Sequence, residues 1–274
     1  MMEFNLKPIF KIDKEYFNDE CNIKTFNKIK ELNNMFLDET YKGNKVAYYY
    51  ENIKNGNILS YNNEVCFYAA SSIKILVCLI VLEKIKNGEM NLNDKILVTM
   101  NDLKQDTGII KYQKQDTEYS LEDLIKLTIV ESDNTAYLKL VEMIGKEKIK
   151  EYGLSIGAIH TMEGKSTDSF GLISCTDMIV YWKKVKEFID NNQELGSMFK
   201  EYLLNPTFKI IEDSSINNQK YIRKYGSWNI AYHEAGYIDD EYYLIILTQL
   251  NKKNYKESFC NVAASKINDI HDEY

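Results

Sequence analysis

Residues 66–85 read CFYAASSIKILVCLIVLEKI, and one side chain in that run is out of place. From Ile73 to Leu82 every residue is apolar except Lys74. A helix that is hydrophobic all round is buried on nearly every side. A buried ammonium is costly unless partners compensate it or it gives up its proton. Either Lys74 snorkels from the helix end beside an N-capping serine, or the fold holds it at a site that uses it. Ser71 stands three residues earlier, one helical turn away and on the same face, so residues 71–74 form S-x-x-K.

Outward from this helix the pattern changes twice. Before it, IKTFNKIKELNNMFL (Ile23–Leu37) carries apolar residues at helical spacing, and KVAYYYENIKNGNILSYNN predicts two strands around Asn55-Gly56. The Tyr48-Tyr49-Tyr50 run predicts alternation between core and surface. After the helix, with Gly88 as its stop, residues from about 92 to 205 predict mostly helices. SLEDLIKLTIVE opens with a capping box from Ser120 to Asp123, and SCTDMIVYWKKVKEFI with another from Ser174 to Asp177. From Lys220 onward, YIRKYGSWN, IAYHEAGYID and EYYLIILTQL show period two and predict a three-strand meander. KESFCNVAASKINDI then predicts a closing helix. Strands at both ends with helices between them predict an α/β (α+β) sandwich: one antiparallel sheet covered by the terminal helices, with an inserted all-helical lobe. The expected division is an N-terminal extension over 1–22 and a single domain over 23–274. Its α/β part covers about 23–70 and 206–274, and its helical lobe about 71–205. The cleft between them is the expected site.

The totals exclude several classes of function. With 274 residues, 45% apolar and 27% charged, the chain can bury a large core. A net charge of −7 and the lack of a basic block interleaved with aromatics argue against nucleic acid as a partner. Cys21, Cys66, Cys78, Cys175 and Cys260 form no CxxC pair and read as reduced thiols; His160, His233 and His271 are too dispersed for a zinc site. No metal or organic cofactor is expected. The longest apolar run is too short to span a bilayer, and MMEFNLKPIFKIDKEYF lacks the features of a signal peptide, so compartment is left open. A monomer is the default expectation.

Two further motifs follow the S-x-x-K in order: Ser132-Asp133-Asn134 between two helices, and Lys224-Tyr225-Gly226 on the first strand of the meander. Each is weak alone. Another S-x-x-K runs from Ser197 to Lys200, other S-x-N triplets begin at Ser60, Ser215 and Ser227, and other K-x-G triplets at Lys54 and Lys86. Only the first three combine the order with the settings of helix start, interhelical loop and strand. An S-D-N is also what a capped interhelical turn looks like, and His233-Glu234 on the next strand reads as structural.

The ordered triple resembles the motif set of class A β-lactamases and penicillin-binding proteins. The similarity extends to YAASSIKILVCLIVLEKIKNGEMNLND, YSLEDLIKLTIVESDNTAYLKLVEMIG and KYGSWNIAYHEAG, and covers roughly Lys45 to the C-terminus. It implies a five-stranded antiparallel sheet and an active-site-serine hydrolase acting on a β-lactam or a cell-wall-peptide-like amide. Ser71 is the implied nucleophile and Lys74 its base, with a pKa lowered by apolar surroundings and by the Lys224 charge. Ser132 would relay a proton, Asn134 would bind Lys74 and the substrate amide, and Lys224 would hold a substrate carboxylate. The backbone N–H groups of Ser71 and Ser227 would form the oxyanion hole. Tyr225 and Gly226 complete the substrate strand. Tyr225 stands where the family carries Thr or Ser, which leaves Ser227 for that contact. The family's E-x-x-L-N element, which activates the deacylating water, is missing from HTMEGKSTDSFGLISCTDM; Glu163 and Asp168 are the nearby carboxylates. A DD-peptidase or esterase, or a sensor acylated without turnover, are the alternative readings.

Overall fold

The structure is a computed structural model and describes residues 20–164, 169–250 and 253–273. Most of the extension expected over 1–22 lies outside the described residues. Helix α1 (Glu20–Tyr41) leads into β1 (Lys45–Asn52) and β2 (Ile58–Tyr61), which pair antiparallel around a turn where Gly56 has φ +73°. Tyr48, Tyr49 and Tyr50 are all buried, so the run does not alternate between core and surface as expected. Each face of the sheet is covered, so both alternations of β1 are core positions: Val46, Tyr48 and Tyr50 face one layer, Ala47 and Tyr49 the other. The buried phenols keep hydrogen-bond partners, Tyr48 donating to Asn33 Oδ1 at 2.7 Å and Tyr49 to Glu51 Oε2 at 2.7 Å.

A two-residue strand β3 (Phe67–Tyr68) precedes a 3₁₀ turn, Ala70–Ile73, and then helix α2 (Lys74–Lys86). Every α2 residue from Lys74 to Leu82 is buried. Gly88, at φ +76°, ends the helix as the sequence indicates. The following segment holds a hairpin that helical patterning does not predict: β4 (Lys95–Val98) pairs with β5 (Thr117–Ser120). Helices α3 (Leu121–Val130) and α4 (Asn134–Ile144) pack against α2, and α5 (Lys146–Ser155) follows α4. Strand β6 (Leu172–Ile173) pairs with β3, and α6 (Cys175–Asn191) also packs on α2 before α7 (Gln193–Leu204) ends the lobe. The Ser120–Asp123 and Ser174–Asp177 capping boxes are both formed, at the N-termini of α3 and α6.

The meander is β7 (Tyr221–Trp228), β8 (Ala231–Ile238) and β9 (Tyr242–Gln249), and β9 returns to pair with β1. The five-stranded antiparallel sheet has the order β2-β1-β9-β8-β7. Helix α8 (Lys253–His271) packs with α1 over one face; α6 and the rest of the helical lobe cover the other. Among the described residues no helix is long and apolar enough to cross a membrane. Strand β7 is a sheet edge, and it lies against the 3₁₀ turn that begins α2. The lobe and the sheet therefore meet where residues 71 and 224–227 stand.

Candidate active site

The close approach of β7 to the turn explains the glycine of the third motif. A Cβ on Gly226 would lie 2.8 Å from Ser72 N and 2.9 Å from Ala69 O, closer than carbon can sit to backbone. The residue before Ser71, Ala70, is held at φ +47°, and Ser132 at φ +50°. Non-glycine residues there are strained, and such strain persists where surrounding structure over-determines the backbone. Ser72 secures the turn by donating to Ala69 O at 2.6 Å.

Lys74 is fully buried and does not snorkel. Its Nζ reaches Ser132 O at 2.5 Å, Asn134 Oδ1 at 2.6 Å and Ser132 Oγ at 3.2 Å. Lys224, equally buried, reaches the same Ser132 Oγ at 3.0 Å and Tyr225 O at 3.2 Å. Three motifs distant in sequence thus converge on one hydroxyl. Burial, then the charge of Lys224, pushes the Lys74 pKa well below the usual lysine range, against the opposing pull of Asp133 and Asp106. Burial lowers Lys224 to about 7, with Glu234 opposing. The Ser71 hydroxyl has no hydrogen-bond partner among the described residues; the lysine expected beside it is engaged with the 132–134 loop instead.

Asp133 fulfils the capping reading of the S-D-N motif. Its Oδ1 accepts from Ala136 N at 3.0 Å, capping α4, and its Oδ2 accepts from Ile109 N and Ile110 N at 2.7 and 2.8 Å. Together with Asn134 N donating to Thr107 O at 3.0 Å, these bonds fix the 106–110 loop beside the motif. His233 is structural: its Nδ1 accepts from Thr248 N at 3.0 Å, which leaves Nε2–H to donate to Tyr68 O at 2.8 Å. Burial lowers its pKa to about 4. Glu234 faces the other layer and accepts from Ile210 N and Ile211 N at 3.1 and 2.5 Å, and burial raises its pKa to about 7.

Ser71, Asn134 and Ser227 line one open cleft with a cavity volume of about 100 Å³. Its remaining wall includes Tyr68, Asp106, Thr107, Phe170 and Trp228, none of which the sequence singles out. These come from loop and strand ends, where no periodicity marks them; the one signal in the sequence is that Tyr68 lies two residues before the Ala70–Ile73 turn. Tyr225 does not line this cleft. Its ring caps Lys224, with Nζ 4.0 Å from the ring centroid, and packs edge-on against Phe208 at 4.9 Å. Glu163 is absent from the cleft wall, and Asp168 lies outside the described residues.

A sandwich with a helical lobe, and a serine on the turn that starts the lobe's buried helix, is the architecture of β-lactamases and penicillin-binding proteins. The model of the β-lactamase enzyme family matches residues 27–271, and the chain belongs to that family. It is 25% identical over 210 residues to β-lactamase BRO-1 of Moraxella catarrhalis, a match covering 73% of this chain and 65% of that protein's length. The solved structure of a point mutant of PBP-A, an acyl-enzyme complex with penicillin-G, superposes with TM-score 0.82 at 15% identity, over 91% of this chain and 97% of that one. A β-lactamase from Sphaerobacter thermophilus gives TM-score 0.80 at 19% identity, over 89% and 97%. A class A β-lactamase from Bacteroides cellulosilyticus gives 0.75 at 20%, over 91% and 98%.

Proposed function

We propose that this protein is an active-site-serine hydrolase that is acylated on Ser71 by β-lactams or related amides. The observation that carries the reading is the convergence of Lys74 and Lys224 on Ser132 Oγ, at 3.2 and 3.0 Å, beside the cleft that Ser71 lines. A serine hydroxyl needs a base before it attacks a carbonyl. Lys74, one turn from Ser71 and with its pKa pushed well below the usual lysine range by burial and by Lys224, is the candidate base. Ser71 Oγ then bonds to the carbonyl carbon while its proton passes to Lys74. The C–N bond breaks as Ser132 delivers a proton to the leaving nitrogen and is resupplied from the lysines. The N–H groups of Ser71 and Ser227, on the packed turn and strand, stabilise the oxyanion, and Asn134 orients the substrate amide.

Water then releases the acyl group. With Phe170 in the cleft wall and no carboxylate other than Asp106 among the described residues there, release is the slow step. The family's activity toward β-lactams and the acyl-enzyme of PBP-A support the chemistry. Incubation with a labelled penicillin, followed by intact-mass measurement and peptide mapping, tests it. A single adduct on Ser71, absent from Ser71→Ala, is the expected result; an adduct on Ser72 or Ser132, or none at all, overturns the assignment.

A further inference from the structure

The cleft wall is unusual in its charge. Asp106 is exposed, and its carboxylate accepts only the N–H of the adjoining Thr107, at 2.9 Å, among the described residues. It makes no ion pair there: Lys111 reaches the Asp106 carbonyl oxygen, at 2.5 Å. No lysine or arginine lines the cleft among the described residues. Lys224 is sealed beneath the Tyr225 ring, and Arg223 on the same strand is turned away, donating to Ile211 O and Asp213. Around Asp106 the open wall is aromatic, from Tyr68, Phe170 and Trp228. A carboxylate with aromatic faces beside it suits a cation, which gains from both the charge and the ring quadrupoles.

We infer that the cleft prefers acyl donors whose side chain carries a positive charge, with Asp106 as the specificity-determining residue. This rests on the acylation of Ser71 proposed above. A protonated amine on the acyl side chain sits between Asp106 and the rings while the scissile carbonyl faces Ser71. A side-chain carboxylate at the same place is repelled.

Three penicillins with one nucleus and one phenylacetyl-type side chain separate these effects: α-aminobenzyl, benzyl and α-carboxybenzyl. Second-order acylation rates are measured on the full chain at a pH where the amine is protonated, and the ratios are compared. The expected order is amino, then benzyl, then carboxy, with the extremes about tenfold apart, as one charge pair in a partly solvated cleft gives. Asp106→Asn is expected to bring the rates within about twofold, Asp106→Glu to keep the order, and 1 M salt to compress it in the unaltered protein. Equal rates, a faster carboxybenzyl compound, or an order unchanged by Asp106→Asn overturns the preference while leaving Ser71 acylation standing. No adduct from any of the three overturns the serine-hydrolase reading and the preference together.

Discussion

Lys74 and Lys224 both touch the Ser132 hydroxyl, and neither reaches solvent. Two ammonium groups so placed oppose each other's protonation, and burial acts on both in the same direction. Lys74 is lowered partly by the Lys224 charge, so removing that charge raises the Lys74 pKa. A base works in its deprotonated form, so the rising limb of acylation rate against pH should move to higher pH in Lys224→Met. A profile that falls in height without moving would show that Lys224 does not tune Lys74. Lys74→Ala should slow acylation by about 10² or more, the usual worth of a positioned base. Gly226 is constrained by sterics rather than chemistry: Gly226→Ala puts a methyl against backbone atoms of the Ala70–Ile73 turn and the residue before it. Acylation should fall at least about tenfold and the melting temperature should fall with it, since the contacts are to backbone and overpacking of this kind costs about 1–3 kcal/mol. The motif letters show these residues in the sequence. They do not show that Lys74 and Lys224 meet on Ser132, because that depends on the packing of β7 against the turn.

The elements divide by how they are stabilised. Long strands and helices were legible because their apolar periodicity runs over many residues, as in β7 to β9 and α6. The β4–β5 hairpin and the β3–β6 pair were not, since two to four residues carry too little pattern. The tie that holds the 106–110 loop is equally silent in sequence, because the Asp133 carboxylate binds N–H groups more than twenty residues away. Replacing it by Ala leaves three buried or half-buried donors without a partner. About 2–4 kcal/mol of stability should be lost in Asp133→Ala by urea unfolding, and the cleft wall loosened with it. His233 gives the sheet a pH dependence. Its folded pKa of about 4 lies below its ordinary value of 6.5, so its contribution is present above pH 6.5 and is lost as pH falls toward 4. The loss is on the order of 3 kcal/mol, and His233→Gln should flatten the unfolding free energy across that window.

At the scale of the whole molecule, acylation and deacylation draw on different parts. In the proposed reaction the sheet edge and the start of α2 carry the groups assigned to acylation. In the proposed mechanism deacylation needs a base beside the ester, and near Lys74 the described residues offer an aromatic surface. The Phe170 ring stacks with Tyr137 at 5.1 Å, and the two rings lie 5.8 and 5.5 Å from Lys74 Nζ. Water beside an ester at Ser71 therefore meets rings where a base would be useful. A missing general base slows a step by about 10² to 10⁴, or roughly 3–5 kcal/mol of barrier. Stopped-flow mixing with a chromogenic cephalosporin should give a burst close to one equivalent followed by a low steady rate. In Phe170→Glu the carboxylate stands near Lys74 at the cleft wall, and the steady rate should rise at least tenfold (about 1.4 kcal/mol), while the same charge raises the Lys74 pKa and moves the rising limb of the burst rate to higher pH. Rapid turnover of the unaltered chain with no accumulated acyl-enzyme would mean that another group activates the water. An unchanged steady rate in Phe170→Glu would mean that access of water, rather than the want of a base, limits release.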